Sequence, residues 1–252
     1  MSGFHISIVA EEITKIELPF IGPTSITNSM FTGWIVTLVV SLILLSIVST
    51  LKKKPDWAQN LYESIYLFIY GMVKDIIGTK LTEKLFPLFL TIFFFILFGS
   101  WAGLLPGVGT LGFIQEEHGK EVAVPLFRAV TADINTAIAL AIIAFLVIEY
   151  YGFKENGAGY LKKFFNFSSP VNFIVGFFEL ISELMRLITF SFRLFGNIFA
   201  GEVILTVMLS LAAFFVLPFL AFEVFVGVIQ AFVFVMLTAA FINQNVEKVE
   251  HH

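Results

Sequence analysis

Arg193 is the residue whose chemistry most needs an explanation. It stands in Leu187–Ile188–Thr189–Phe190–Ser191–Phe192–Arg193–Leu194–Phe195–Gly196–Asn197–Ile198–Phe199–Ala200–Gly201–Glu202, inside a long apolar stretch. An arginine at the centre of a bilayer costs about 3 kcal/mol on insertion scales and roughly 10–17 in simulations. A guanidinium cannot shed its proton to escape that cost. Its helical neighbours at three and four residues are Thr189, Phe190, Gly196 and Asn197, none of them acidic. Glu202 is nine residues on, about half a turn round and about 13 Å along the axis. Arg193 therefore needs an anion or water supplied by another segment or another protein. Arg186 differs, because Glu183 three residues before it and Glu179 seven before it allow local pairing.

The carboxylates fall at two depths. Glu179 and Glu183 lie toward one end of the C-terminal region, and Glu202 and Glu223 toward the other. A carboxyl binds and releases protons as its surroundings tune it. Acids at two levels, separated by a fixed positive charge, suit two water-accessible half-pathways that do not join. The plainer alternative is that each glutamate snorkels or packs in a polar helix seam. Gln230, seven residues after Glu223, suits an interhelical hydrogen bond as well as a transport role, and so does Asn243. Asp133 either favours the start of the third span or lines the outer pathway. The Gly107–Gly112 match to GxGxxG follows a membrane span rather than a strand and reads as a loop. The chain has no cysteine and no phosphate-binding loop, zinc-binding helix or nucleophile elbow. Nothing points to covalent catalysis, a cofactor, a metal or nucleic acid.

These groups must be held by membrane helices. The chain is 58% hydrophobic and 13% charged, with mean hydropathy +0.92, against about 45–50% and about 25% for a soluble domain. The reading is an all-α polytopic membrane protein, with residues 1–30 as an outer segment and 31–252 as one membrane domain. Spanning runs, each about 20 residues, are expected at about 31–51, 86–105 and 131–151. Asp56–Ile77 has apolar residues at helical spacing but too many polar ones to cross, so it reads as an interfacial helix. Val171–Val216 would run roughly 69 Å as one helix, against a hydrocarbon core about 30 Å thick. It must tilt, bend or break, and with Phe219–Val246 it forms a long tilted hairpin turning near Pro218. Gly99 and Gly103 form a small-xxx-small pair for helix packing. Lys52, Lys53, Lys54, Lys74, Lys80, Lys84, Lys154, Lys162, Lys163 and Lys248 collect on one side of this topology, and only Lys15, Lys120 and Arg128 on the other. The positive-inside rule then puts the N-terminus outside and the C-terminus inside.

Ser191–Phe192–Arg193–Leu194–Phe195–Gly196–Asn197, followed by Ala200–Gly201–Glu202, resembles the core motif of subunit a of the F-type ATP synthase membrane sector. Asp133–Ile134–Asn135–Thr136, Ile229–Gln230–Ala231–Phe232 and the Glu250–His251–His252 ending agree, and bacterial and chloroplast members are most similar. The resemblance implies a non-catalytic stator subunit beside a rotating ring of c subunits, with a b-type peripheral stalk, in a bacterial cytoplasmic membrane. Arg193 would face the ring carboxylate and block leakage between half-channels, with Asn197 beside it in the motif. Glu202 would belong to the outer half-channel, Gln230 would lie near the arginine, and Glu223 would fall where members vary between histidine and glutamate. Some members carry an acid near Gly103, and its absence here shifts weight to Asp133. A turn near 216–218 would put Gln230 beside residues 204–206, so contact with Arg193 would need a bend or a register offset. The competing reading is a secondary transporter for a small anion, with Arg193 as the substrate-binding cation. No internal repeat relates the first three spans to the hairpin, as such folds usually require.

Overall fold

Among the described residues, five helices are long and apolar enough to cross a membrane: α1 (Asn28–Ser49), α2 (Trp57–Ala102), α3 (Ile134–Asn156), α5 (Pro170–Leu211) and α6 (Val216–Val246). The short α4 (Gly159–Phe164) links α3 to α5. The structure, a computed structural model, describes residues 12–18, 22–49, 56–105, 108, 112–117, 120–157, 159–164, 169–211, 214 and 216–246. Lys52–Lys54, Lys248, the Glu250–His252 ending and most of Gly107–Gly112 lie outside the described residues. The protein is an all-α polytopic membrane protein, with no sheet core among the described residues. Two antiparallel ribbons among the described residues, which the all-α reading did not include, accompany the helices. They are β1 (Glu12–Leu18) with β2 (Gly22–Thr27), and β3 (Gly112–Glu117) with β4 (Lys120–Pro125).

α2 is two helical limbs joined at Gly78, where φ is 74° and ψ 165°. That left-handed backbone suits glycine, which has no Cβ to clash. The first limb is the helix expected at Asp56–Ile77. It folds back along the second limb, so that Tyr62 stacks on Phe94 and both Tyr66 and Tyr70 meet the edge of Phe86. Its tyrosine face is thus covered by protein, while Leu61, Leu67 and Phe68 remain exposed. The second limb starts about two turns before the expected Phe86, because the polar turn Thr79–Lys84 is already helical.

Two other expected boundaries move for identifiable reasons. The third span was expected to end at about 151, yet Gly152 is buried within α3, which runs to Asn156 and ends at Gly157 with φ 57°. The Gly152 site is filled by the ring of Tyr160, 2.9 Å from where a Cβ would sit. Pro218 was expected to break the hairpin, yet it lies in the first turn of α6. There its missing N–H would have had no intrahelical acceptor, so nothing is lost. The chain instead reverses between Leu211 and Val216.

The core gathers where α2, α3, α5 and α6 meet. Phe89, Ile96, Leu194, Val235, Ala239 and Ile242 are almost fully buried there. Ala137, Ala141, Ala144 and Ile148 form a stripe at helical spacing on α3, and small side chains let helix backbones approach closely. α5 contributes only a narrow buried stripe: Gly176, Glu183, Phe190, Ser191, Leu194, Phe195, Ile198 and Gly201. Its opposite face, with Phe177, Phe178, Ile181, Met185, Ile188 and Phe192, is exposed and apolar.

Candidate functional site at the α5–α6 seam

Two ring and backbone contacts set the register of the seam. Phe190 meets Phe234 at 4.9 Å between ring centroids, and Gly201 sits against the Glu223 carboxyl. Counted from either pair, Gln230 lies opposite Leu194, one residue from Arg193. This overturns the expected alignment of Gln230 with residues 204–206, because the reversal falls about five residues before the assumed turn.

Arg193 lies half-buried at the edge of the open face of α5, with exposed Thr189 and Asn197 one turn to either side. It makes no hydrogen bond or ion pair with any described residue, and neither does the side chain of Gln230, which is buried. A cavity of about 400 Å³ opens beside it, lined by Asn197, Gly201, Glu223 and Gln230 among apolar neighbours. A second cavity of about 250 Å³ lies between the seam and the 125–131 segment, and Ser100, Arg128, Glu202 and Glu223 give it polar lining. Glu223 is common to both. Its carboxyl is buried, and Oε1 has no hydrogen-bond partner among the described residues.

Glu202 and Asp133 are tethered. Glu202 accepts a charge-assisted hydrogen bond from Arg128 at 3.3 Å. Asp133 is the N-cap of α3, accepting from the Asn135 backbone N–H at 3.1 Å and from the Ser29 hydroxyl at 2.5 Å. Capping is what an aspartate before an apolar helix does, and Asp133 lines neither cavity. At the other end Glu179 is half-buried one turn before Glu183. Glu183 is buried and pairs with Arg186 at 2.7 Å, the local pairing that their three-residue spacing allows. Arg193, Asn197, Glu202, Glu223 and Gln230 thus share one neighbourhood, while Asp133 and Glu179 stand apart from it.

The model of the ATP synthase A chain family matches residues 30–243, which contain every one of these side chains. The chain belongs to that family. The ATP synthase subunit a of Gloeobacter violaceus is 35% identical over 249 residues, 97% of this chain and 94% of that one. The chloroplastic subunit a of Oedogonium cardiacum is 36% identical over 225 residues, covering 88% and 83%. That of Desulforamulus reducens is 36% identical over 211 residues, covering 79% and 72%.

Within this ATP synthase A chain fold, two contributors escaped the reading of the sequence. Arg128 was counted only as an outer cation, yet it is 5% exposed and turned into the second cavity. Its setting between Pro125–Leu126–Phe127 and Ala129–Val130, with no polar residue on either side, was the available signal. Gly201 belongs to the expected motif, but its purpose is visible only in three dimensions, where it leaves room for the Glu223 carboxyl. Gly103 is equally constrained. A Cβ there would lie 2.5 Å from that of Ala129, so the Gly99–Gly103 pair packs on the 129–131 segment, and an acidic side chain at 103 has no room.

Proposed function

We propose that this chain is the proton-conducting stator subunit of an F-type ATP synthase, passing protons through two offset half-channels to and from a rotating c-ring. The observation that carries the proposal is Arg193. It is a permanent cation without an anionic partner among the described residues, at the edge of an open apolar face, beside a cavity that ends at Asn197 and Gln230. A ring carboxylate arriving from another chain supplies the missing anion, and its departure is what rotation does. On this reading protons enter past Arg128 and Glu202, reach Glu223 between the two cavities, and meet the ring near Asn197. They leave on the lysine-rich side, where Glu179 lies. Arg193 cannot relay a proton, so it separates the two routes and holds each deprotonated ring carboxylate until it is reprotonated. The chain itself makes no covalent intermediate. Its partners are the c-ring, a b-type stalk and the bilayer of a bacterial cytoplasmic membrane, with the N-terminus outside and the C-terminus inside.

Arg193→Ala in membrane vesicles is expected to abolish ATP-driven proton pumping while the c-ring still co-purifies with the chain. Cysteine at 197 is expected to crosslink to a ring subunit. Normal pumping in Arg193→Ala would sink the proposal.

A further inference from the structure

Two turns inward of Arg193, α5 has almost no apolar grip on the rest of the protein. Between Gly176 and Phe190 its only buried residue is Glu183. Leu187 adds a part-buried contact with the core, so apolar packing sets the rotation of this half of the helix only weakly. What holds it is polar. Arg186 donates to Glu183 at 2.7 Å, to Gln244 Oε1 at 3.0 Å and to Asn245 Oδ1 at 3.5 Å, and its guanidinium lies 4.5 Å from the Phe241 ring centroid.

The hydrogen bonds beyond Arg186 run in one direction. Arginine has only donors, so Asn245 turns its carbonyl to Arg186 and its amide N–H to the Tyr160 hydroxyl oxygen, at 2.8 Å. Tyr160 spends its own proton on Glu149, at 3.0 Å. Burial, and then the neighbouring Glu149 charge, hold the Tyr160 phenol well above its ordinary value, so it remains a donor. Its ring is seated on Gly152, and Asn156 anchors the Asn245 backbone carbonyl at 2.8 Å. Carbonyls in the last turn of a helix lack intrahelical partners, so this bond also fastens the end of α6. Four helices meet through one asparagine.

We infer that Asn245 is a positioning residue, the keystone of a polar clamp that sets the rotation of α5 and with it the aim of Arg193. Arg193 follows Arg186 by seven residues, about 10.5 Å along the axis and about 20° round it. A helix slipping by about 20° carries a side-chain tip about 2 Å, given a side-chain radius of about 5–6 Å. Misplacement by about 1 Å is enough to cost on the order of a hundredfold in a geometry-dependent step. The clamp matters to transport only if Arg193 acts as proposed above, so the test separates the two.

The chain has no cysteine, so cysteines at Met185 on α5 and Leu146 on α3, both exposed, take spin labels at two defined sites of this chain. In the assembled complex, Asn245→Ala is expected to shift the distance between the labels by about 2 Å and to lower ATP-driven proton pumping about a hundredfold. Tyr160→Phe keeps the ring on Gly152 and removes only the hydroxyl; it is expected to produce a smaller shift in the same direction. It carries the test if Asn245→Ala fails to assemble. Unchanged distances in the assembled variants would overturn the clamp. A shifted distance with undiminished pumping would overturn its link to Arg193. Failure of the channel reading itself shows elsewhere, as normal pumping in Arg193→Ala with Asn245 intact.

Discussion

Gly201→Ala separates packing from proton transfer at the seam. A Cβ at Gly201 would overlap the Glu223 carboxyl, meeting all three of its terminal atoms at once. One methyl forced into a packed site costs about 1–3 kcal/mol. Exchanging glycine for alanine inside a helix returns about 1 kcal/mol. The net effect on folding is therefore small, about 0–2 kcal/mol, and the complex should assemble. The damage falls on Glu223, which must leave the position it holds between the two cavities. If that displacement adds about 1–3 kcal/mol to the proton step, pumping falls about 5- to 150-fold.

The assay is ATP-driven acidification of inverted vesicles, normalised to the amount of chain that co-purifies with the ring. Gly196→Ala provides the comparison, since a Cβ there meets nothing within 4 Å in this chain. It is expected to gain helix stability with no collision of its own in this subunit. Wild-type pumping in Gly201→Ala, at wild-type assembly, would refute the argument that the Glu223 position requires a glycine opposite it. Equal losses in both variants would mean that helix stiffness, rather than the carboxyl, governs the rate.

Gly78→Ala is expected to destabilise the α2 elbow by about 1–3 kcal/mol, the cost of a residue with a Cβ in an extended, positive-φ backbone region that only glycine adopts freely, since φ there is 74° and ψ 165° and no neighbour lies within 4 Å of the added methyl; thermal dissociation of the purified complex measures it, and an unchanged midpoint would show that the elbow relaxes freely. Tyr160 gives a pH dependence whose sign is fixed. Its phenol is raised above the ordinary 10.0 by burial and by Glu149, so the folded state keeps a proton that the unfolded chain releases. That contribution to stability is complete below pH 10 and is lost as pH rises beyond it. Tyr160→Phe is expected to flatten the alkaline limb of stability against pH, and an identical limb in both proteins would refute it.

How much of the site was legible depended on which physical constraint carried each residue. Arg193 announced itself because charge in an apolar run is expensive in any fold. The Glu183–Arg186 pair was legible because three residues apart on a helix is a distance fixed by helix geometry alone. Arg128 and Tyr160 were not, because their importance lies in partners 74 and 85 residues away, Glu202 and Asn245. No local periodicity encodes such contacts. The β-ribbons were missed for a related reason: cross-strand pairing in short polar segments leaves little trace when both faces are not clearly patterned.

The seam register is the case where one residue type misled and geometry corrected it. Pro218 in an apolar run reads as a break, because proline inside a helix removes a hydrogen bond and clashes with the preceding turn. Neither penalty applies in the first turn, and α6 begins two residues before it. Moving the reversal from Pro218 to the segment before Val216 slides α6 along α5 until Gln230 stands opposite Leu194 rather than about three turns away. The same slide brings Glu223 onto Gly201, the one residue of the Ala200–Gly201–Glu202 motif small enough to receive it. Two separate features of the motif, a glycine before a glutamate and a glutamine seven residues after another, are thereby satisfied by a single displacement. A register that had to be forced at one contact would not have repaired the other.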